Sequence, residues 1–207
     1  MLKNYVKGQL KKAHEVAQKR LENNTYKGKE CAQQLSLLHD ELIINYINFL
    51  SKYLYPLNNP TEAEKISVLA TGGYGRGLLA PQSDIDLLFL LPYKKTAWAE
   101  ATIENTLYFL WDLGLKVGQA TRSISESLLL AEKDQTITTS MLDARHLWGN
   151  KELSKRFKTS YREKLEKMSS ADFIQAKLDE REERQYKAGQ SRYCLLYTSP
   201  SPRDPKS

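Results

Sequence analysis

The chain has 207 residues, 41% of them hydrophobic, with a formal net charge of +6. It is long enough for one domain with helical additions. No run of 18 apolar residues exists, which excludes a membrane-spanning helix. The cysteines, Cys31 and Cys194, lie too far apart to read as a disulfide framework or a zinc quartet. The basic residues alternate with acids, as in EKLEK and DEREERQYK, the pattern of solvated helix faces. A nucleic-acid surface is therefore not expected. The N-terminus lacks the apolar centre and cleavage site of a secretory signal, so a cytoplasmic protein is expected.

In chain order, Leu2, Val6, Leu10, Ala13, Ala17 and Leu21 recur at intervals of three and four, which predicts a helix over 2–22. Asn23, Asn24 and Gly28 interrupt it. A second helix is predicted from Cys31 to about Tyr55, ended by Pro56 and Pro60. His14 and His39 lie on these helices with no ligand-spaced neighbour and read as surface or core residues, not metal ligands. The segment 66–71 reads as a short buried strand, and Ile85 to Leu91 as another. Between them stand Gly72, Gly73, Gly75 and Gly77, expected to supply positive-φ turns. A helix over 96–113, closed by Gly114, leads to a third strand at 115–121. Ser123 and Glu126 form a capping box that starts another helix. Helices are expected from there to about Lys187. The order predicts an α+β fold, a small mixed sheet with helices around it. The expected divisions are a helical region (1–60), a core (61–150), a helical extension (151–193) and a disordered tail of foreign origin (194–207), rich in proline and serine.

The chemistry concentrates in GGYGRGLLAPQSDIDLL, residues 72–88. Asp84 and Asp86 are two apart, so an extended backbone aims both carboxylates the same way. Two adjacent carboxylates repel, and a divalent cation relieves that repulsion. Magnesium suits a pair of carboxylates completed by phosphate oxygens and water. Backbone amides of a glycine loop suit a polyphosphate. The candidate phosphate-binding residues are thus Gly72, Gly73, Gly75, Arg76 and Ser83, and the candidate catalytic and Mg²⁺-holding residues are Asp84 and Asp86. Arg76 would also suit an acid on the loop's rim, and Ser83 a cap at the strand start. The block is neither a dinucleotide fingerprint, since Leu78 stands where the third glycine belongs, nor a P-loop, since no Gly-Lys-Ser/Thr occurs.

Gly-Gly followed by Ser-Asp-x-Asp on a strand resembles the polymerase-beta nucleotidyltransferase superfamily. With Trp111–Ser123, Thr138–Asn150 and Glu183–Tyr193, the resemblance extends over about residues 30–193. It narrows to the N-terminal domain of the bacterial PII-protein uridylyltransferase family. The resemblance implies Mg²⁺-dependent transfer of UMP from UTP to a tyrosine of the PII signalling protein, with release of pyrophosphate. On that reading the uridylyl-removing and sensing domains are missing. Non-catalytic nucleotide binding, transfer to another acceptor, and ATP in place of UTP are the alternatives. The superfamily commonly carries a third acid on a later strand; LKVGQATR has none, leaving Asp112 and Asp143 as candidates. Gln119 stands where many relatives have histidine.

Overall fold

The computed structural model describes residues 2–23, 27–81 and 83–166, with residues 174, 175, 178, 179, 181, 182 and 186 beyond them. The expected foreign tail, 194–207, lies outside the described residues. The chain divides into two units, Met1–Tyr161 and Arg162–Ser207. In the second, the described residues beyond 166 are helical, and Gln175 Nε2 donates to Asp179 Oδ1 at 2.9 Å.

The first unit begins with α1 (Leu2–Glu22) and α2 (Gly28–Phe49), the latter continued by a π turn at Leu50–Leu54. Strand β1 (Ser67–Ala70) runs into a one-turn helix, α3 (Gly72–Gly75). Strand β2 (Ile85–Leu91) follows, then α4 (Ala97–Asp112) and β3 (Val117–Ser123). Helices α5 (Ile124–Lys133) and α6 (Gln135–Leu142) lead to β4 (Arg145–Gly149) and α7 (Lys151–Glu166).

The four strands form one mixed sheet in the order β3-β2-β1-β4. Strands β1 and β2 are antiparallel, as are β1 and β4, while β2 and β3 are parallel across the α4 crossover. This is the mixed α+β class that the sequence implies. Strand β2 is apolar at nearly every position because both its faces are covered. Ile85, Leu87 and Phe89 join the core of α2 and α4, with Ile43, Ile47, Ile103 and Leu107. Leu69, Leu88 and Leu90 are equally buried outside that cluster. On α7, Ser154 Oγ lies 2.5 Å from Ser67 Oγ of β1 and 2.8 Å from His146 Nδ1 of β4, while the Tyr161 hydroxyl donates to the Thr138 carbonyl of α6.

Local signals set the ends of several elements. Thr96 caps α4 by accepting from Ala99 N–H at 3.2 Å. Its far end closes as a Schellman motif, with Gly114 N–H on Trp111 O (2.8 Å) and Leu115 N–H on Leu110 O (3.1 Å). The Ser123–Glu126 box is formed in both directions, and the Ser123 N–H and hydroxyl, both donating to the Glu126 carboxylate, hold it below the usual range.

Three expectations need correction. The third strand spans 117–123, not 115–121, because the Schellman turn uses Leu115. The helical run after Ser123 is broken by β4, which pairs with β1 across a register shift between Val68 and Leu69. Of the glycine cluster, only Gly72 and Gly77 have positive φ (56° and 69°); Gly73 and Gly75 are helical.

Candidate active site

Asp86 lies on β2, and its ladder neighbour on β3 is Gly118. A Cβ at Gly118 would collide with Asp86 Oδ1, and one at Gly72 would stand 2.9 Å from Asp86 Oδ2. The carboxylate is thus cradled between two glycines, one from the α3 turn and one from the adjacent strand. Gly72 is also required by its backbone, since other residues resist φ of 56°. Thr71 N–H donates to Asp86 O at 3.0 Å and fixes the turn to the strand. Burial, and then the charge of Asp84, push the Asp86 carboxyl above its usual range. Asp84 is exposed, one residue before β2 begins. A cavity of about 270 Å³ opens beside Asp86, with Thr71, Gly118, Arg122, Thr136 and Ser140 in its walls. Arg122, opposite Leu90 on the β2–β3 ladder, also lines this cavity.

The remaining sequence candidates divide. Gly72 and Gly73 open α3, where a helix leaves its first amides without an internal partner. Gly75 has a different role. Its N–H is committed to Thr71 O at 2.8 Å, and a Cβ there would strike the Asp143 carbonyl and come within 3.0 Å of Ala70 O. Arg76 Nη1 meets Asp143 Oδ2 at 2.7 Å, so its partner is an acid on the rim. That pair also occupies Asp143, one of the two third-acid candidates. Asp112 is the last residue of α4. Among the described residues, no three His, Cys, Asp or Glu side chains gather as a metal-binding group. Ser83 lines a different cavity, described below.

Behind the glycine helix lies a network that sequence reading missed. Tyr74, fully buried, donates its hydroxyl to Asp40 Oδ1 at 2.6 Å. Arg145 grips Asp40 with both terminal nitrogens, at 2.6 and 3.1 Å. It also donates to the carbonyls of Tyr74 and Gly75, each at 3.2 Å, and stands over the Tyr74 ring at 5.5 Å. Burial, then Asp40, push the Tyr74 phenol far up. Burial opposes the Arg145 charge, but its bonds to Asp40 and Tyr74 outweigh it and hold its pKa above the ordinary value. Helix α2 and strand β4 thereby clamp α3 from below. A faint signal existed for Gly118, because glycine inside a strand marks a close approach. None marked Asp40 with Arg145, which are 105 residues apart.

Asp86 lines the cavity, with its oxygens where a Cβ at Gly72 or Gly118 would fall, and Asp84 crowds it with like charge, a carboxylate pair of the kind that suits a magnesium ion. Residues 57–142, which contain the glycine turn and the Asp pair, match the family model described as Nucleotidyltransferase domain.

The particular likeness is narrower. The chain is 45% identical over 190 residues to the Bifunctional uridylyltransferase/uridylyl-removing enzyme of Nitrobacter winogradskyi, and 47% identical over 191 residues to that of a Bradyrhizobium species. Each match covers 92% of this chain and 20% of the relative, so the chain spans about a fifth of the length of the curated relatives it matches. Among solved structures, a toxin-antitoxin crystallised with AMP-PNP is similar at 18% identity, with a TM-score of 0.33 over 69% of this chain and 92% of that one. No helix among the described residues is long and apolar enough to cross a membrane.

Proposed function

We propose that the chain transfers UMP from UTP to a tyrosine hydroxyl of the PII nitrogen-regulatory protein, with release of pyrophosphate and dependence on Mg²⁺. The observation that carries this reading is the Asp86 carboxylate, cradled between Gly72 and Gly118 at the wall of a cavity and paired in charge with Asp84. The relatives' name, uridylyltransferase, supports the nucleotide and the reaction.

In the reaction the tyrosine oxygen forms a bond to the α-phosphorus. The bond from that phosphorus to the bridging oxygen breaks, its electron pair leaves with pyrophosphate, and the phenol proton passes to solvent. Asp84 and Asp86 would hold Mg²⁺, which supplies positive charge to the triphosphate and to the ionising hydroxyl. The first amides of α3, at Gly72 and Gly73, would donate to phosphate oxygens. Arg122, in the same cavity wall as Asp86, would pair with the triphosphate. The Arg145 clamp holds α3 so that these amides are aligned before substrate arrives.

The test is label transfer from α-labelled UTP to purified PII protein with Mg²⁺, run beside Asp86→Asn and beside labelled ATP. Label on PII from UTP with wild type alone upholds the proposal. UTP binding without transfer returns the chain to a nucleotide-binding module. Transfer from ATP in preference to UTP removes the uridylyl assignment, and transfer only to another acceptor removes PII.

A further inference from the structure

A second cavity, of about 480 Å³, lies against α1, α2 and the segments that flank β2 and β3. That volume is in the range of small-molecule sites. Three lysines from two separate segments converge on it: Lys7 and Lys11 from successive turns of α1, and Lys116 from the lead-in to β3. Like charges gathered at one mouth repel unless an anion joins them. Lys11 has Glu15 at 3.9 Å, an exposed pair of little strength. Lys7 reaches over Gly114, at the C-terminal end of α4, where the helix carbonyls favour a cation. Among the described residues neither Lys7 nor Lys116 forms a salt bridge. Below them Leu10, Leu79 and Leu113 make an apolar floor.

Two histidines complete the wall. His39 Nδ1 lies 2.6 Å from Leu35 O, which commits the proton to that nitrogen and leaves Nε2 as an acceptor. His14 stands edge-on to it, with ring centroids 5.4 Å apart. His14 Nε2 is buried and, among the described residues, has no hydrogen-bond partner. A buried polar nitrogen left unpaired is costly, and a bound molecule would satisfy it.

The geometry points to a ligand site for a small organic anion, a carboxylate or phosphate ester with an apolar body. The lysines meet the charge, the leucines take the body, and His14 Nε2 takes a polar group. The site stands on the chemistry of its own lining and not on the transferase reading. It does adjoin the aspartate pair: Ile85 N–H, between Asp84 and Asp86, donates to Lys116 O at 2.9 Å, and Ser83 is on the cavity's rim.

The test uses the 207-residue chain without nucleotide or Mg²⁺. Phenyl phosphate and benzoate are titrated by calorimetry, with neutral phenol as control. Wild type and Asp86→Asn bind both anions alike and phenol far more weakly. The double variant Lys7→Gln/Lys116→Gln loses about tenfold or more in affinity. In wild type, phenyl phosphate protects Lys7 and Lys116, but not Lys151 on α7, from an amine-acetylating reagent read by mass spectrometry. That protection decides the matter should the double variant fail to fold by circular dichroism. The proposal is overturned if wild type binds neither anion, or if the folded double variant binds as wild type does. It is equally overturned if Asp86→Asn abolishes binding, which would put the anion in the nucleotide cavity, or if no lysine is protected.

Discussion

Replacing Gly118 with alanine sets a methyl group against Asp86 Oδ1, an atom that a side-chain rotation can move. The expected result is a chain of unchanged thermal midpoint whose transfer rate falls about tenfold or more, as rate assays beside melting curves will show. Gly75→Ala is the contrasting case. Its new methyl meets the backbone carbonyls of Asp143 and Ala70, which cannot swing aside. We expect a loss of about 1–3 kcal/mol in urea unfolding. His39 supplies a pH dependence. Burial chiefly, and His14 in addition, hold its pKa below the ordinary 6.5, against the opposing pull of the Leu35 carbonyl and Asp40. As pH falls through 6.5 the unfolded chain takes up the proton first. The stabilising contribution of neutral His39 is therefore complete above that pH and is lost as pH falls toward the folded value. Urea midpoints at about pH 7.5 and about pH 5.5 will differ in wild type and differ less in His39→Gln.

At the level of the element, α3 is a single turn of four residues, three of them glycines with no side chain to pack. Such a turn has no stability of its own. Its order comes from Tyr74 below and Arg145 behind, both tied to Asp40 of α2. Arg145→Lys keeps the charge but loses the fork that reaches Asp40 and two carbonyls together. We expect about 2 kcal/mol or more of destabilisation, with KM for UTP rising more than kcat falls. Tyr74→Phe removes one hydroxyl bond and leaves Arg145 on Asp40, so about 1–2 kcal/mol is expected. If Arg145→Lys lowered stability and left KM for UTP unchanged, the clamp would be structural only. Legibility at this scale was uneven. The bounds of β2 and the capping box at Ser123 were readable because a continuous apolar run and a cap are both local signals. Strand β4 was not, since RHLWG becomes a strand only by pairing with β1, nearly eighty residues earlier in the chain.

For the whole molecule, ligand linkage offers the broadest check. A nucleotide and metal that bind only the folded chain stabilise it by about 2.7 kcal/mol at a hundredfold excess over Kd. UTP with Mg²⁺ is then expected to raise the wild-type midpoint by roughly 5 °C or more. Asp86→Asn should show no such rise. Without ligands the same variant should melt above wild type, because its amide removes a half-buried carboxylate crowded by Asp84. A lower midpoint for that variant would mean that Asp86 supports the fold rather than burdening it.

What the amino-acid order determined alone was chemistry carried by near neighbours. The glycine turn, the Asp84–Asp86 spacing and the amphipathic helices are all contained in stretches shorter than twenty-five residues, where backbone preference and periodicity act directly. Only the tertiary structure decided which distant residues serve them. Packing β3 beside β2 turned Gly118 into half of the Asp86 cradle. Packing β4 beside β1 carried Arg145 to Asp40 and the back of α3. Folding α1 over the entry to β2 brought three lysines to one cavity. These juxtapositions follow from burying apolar faces whose partners lie far along the chain, and a contact between distant residues leaves no periodic mark in either stretch.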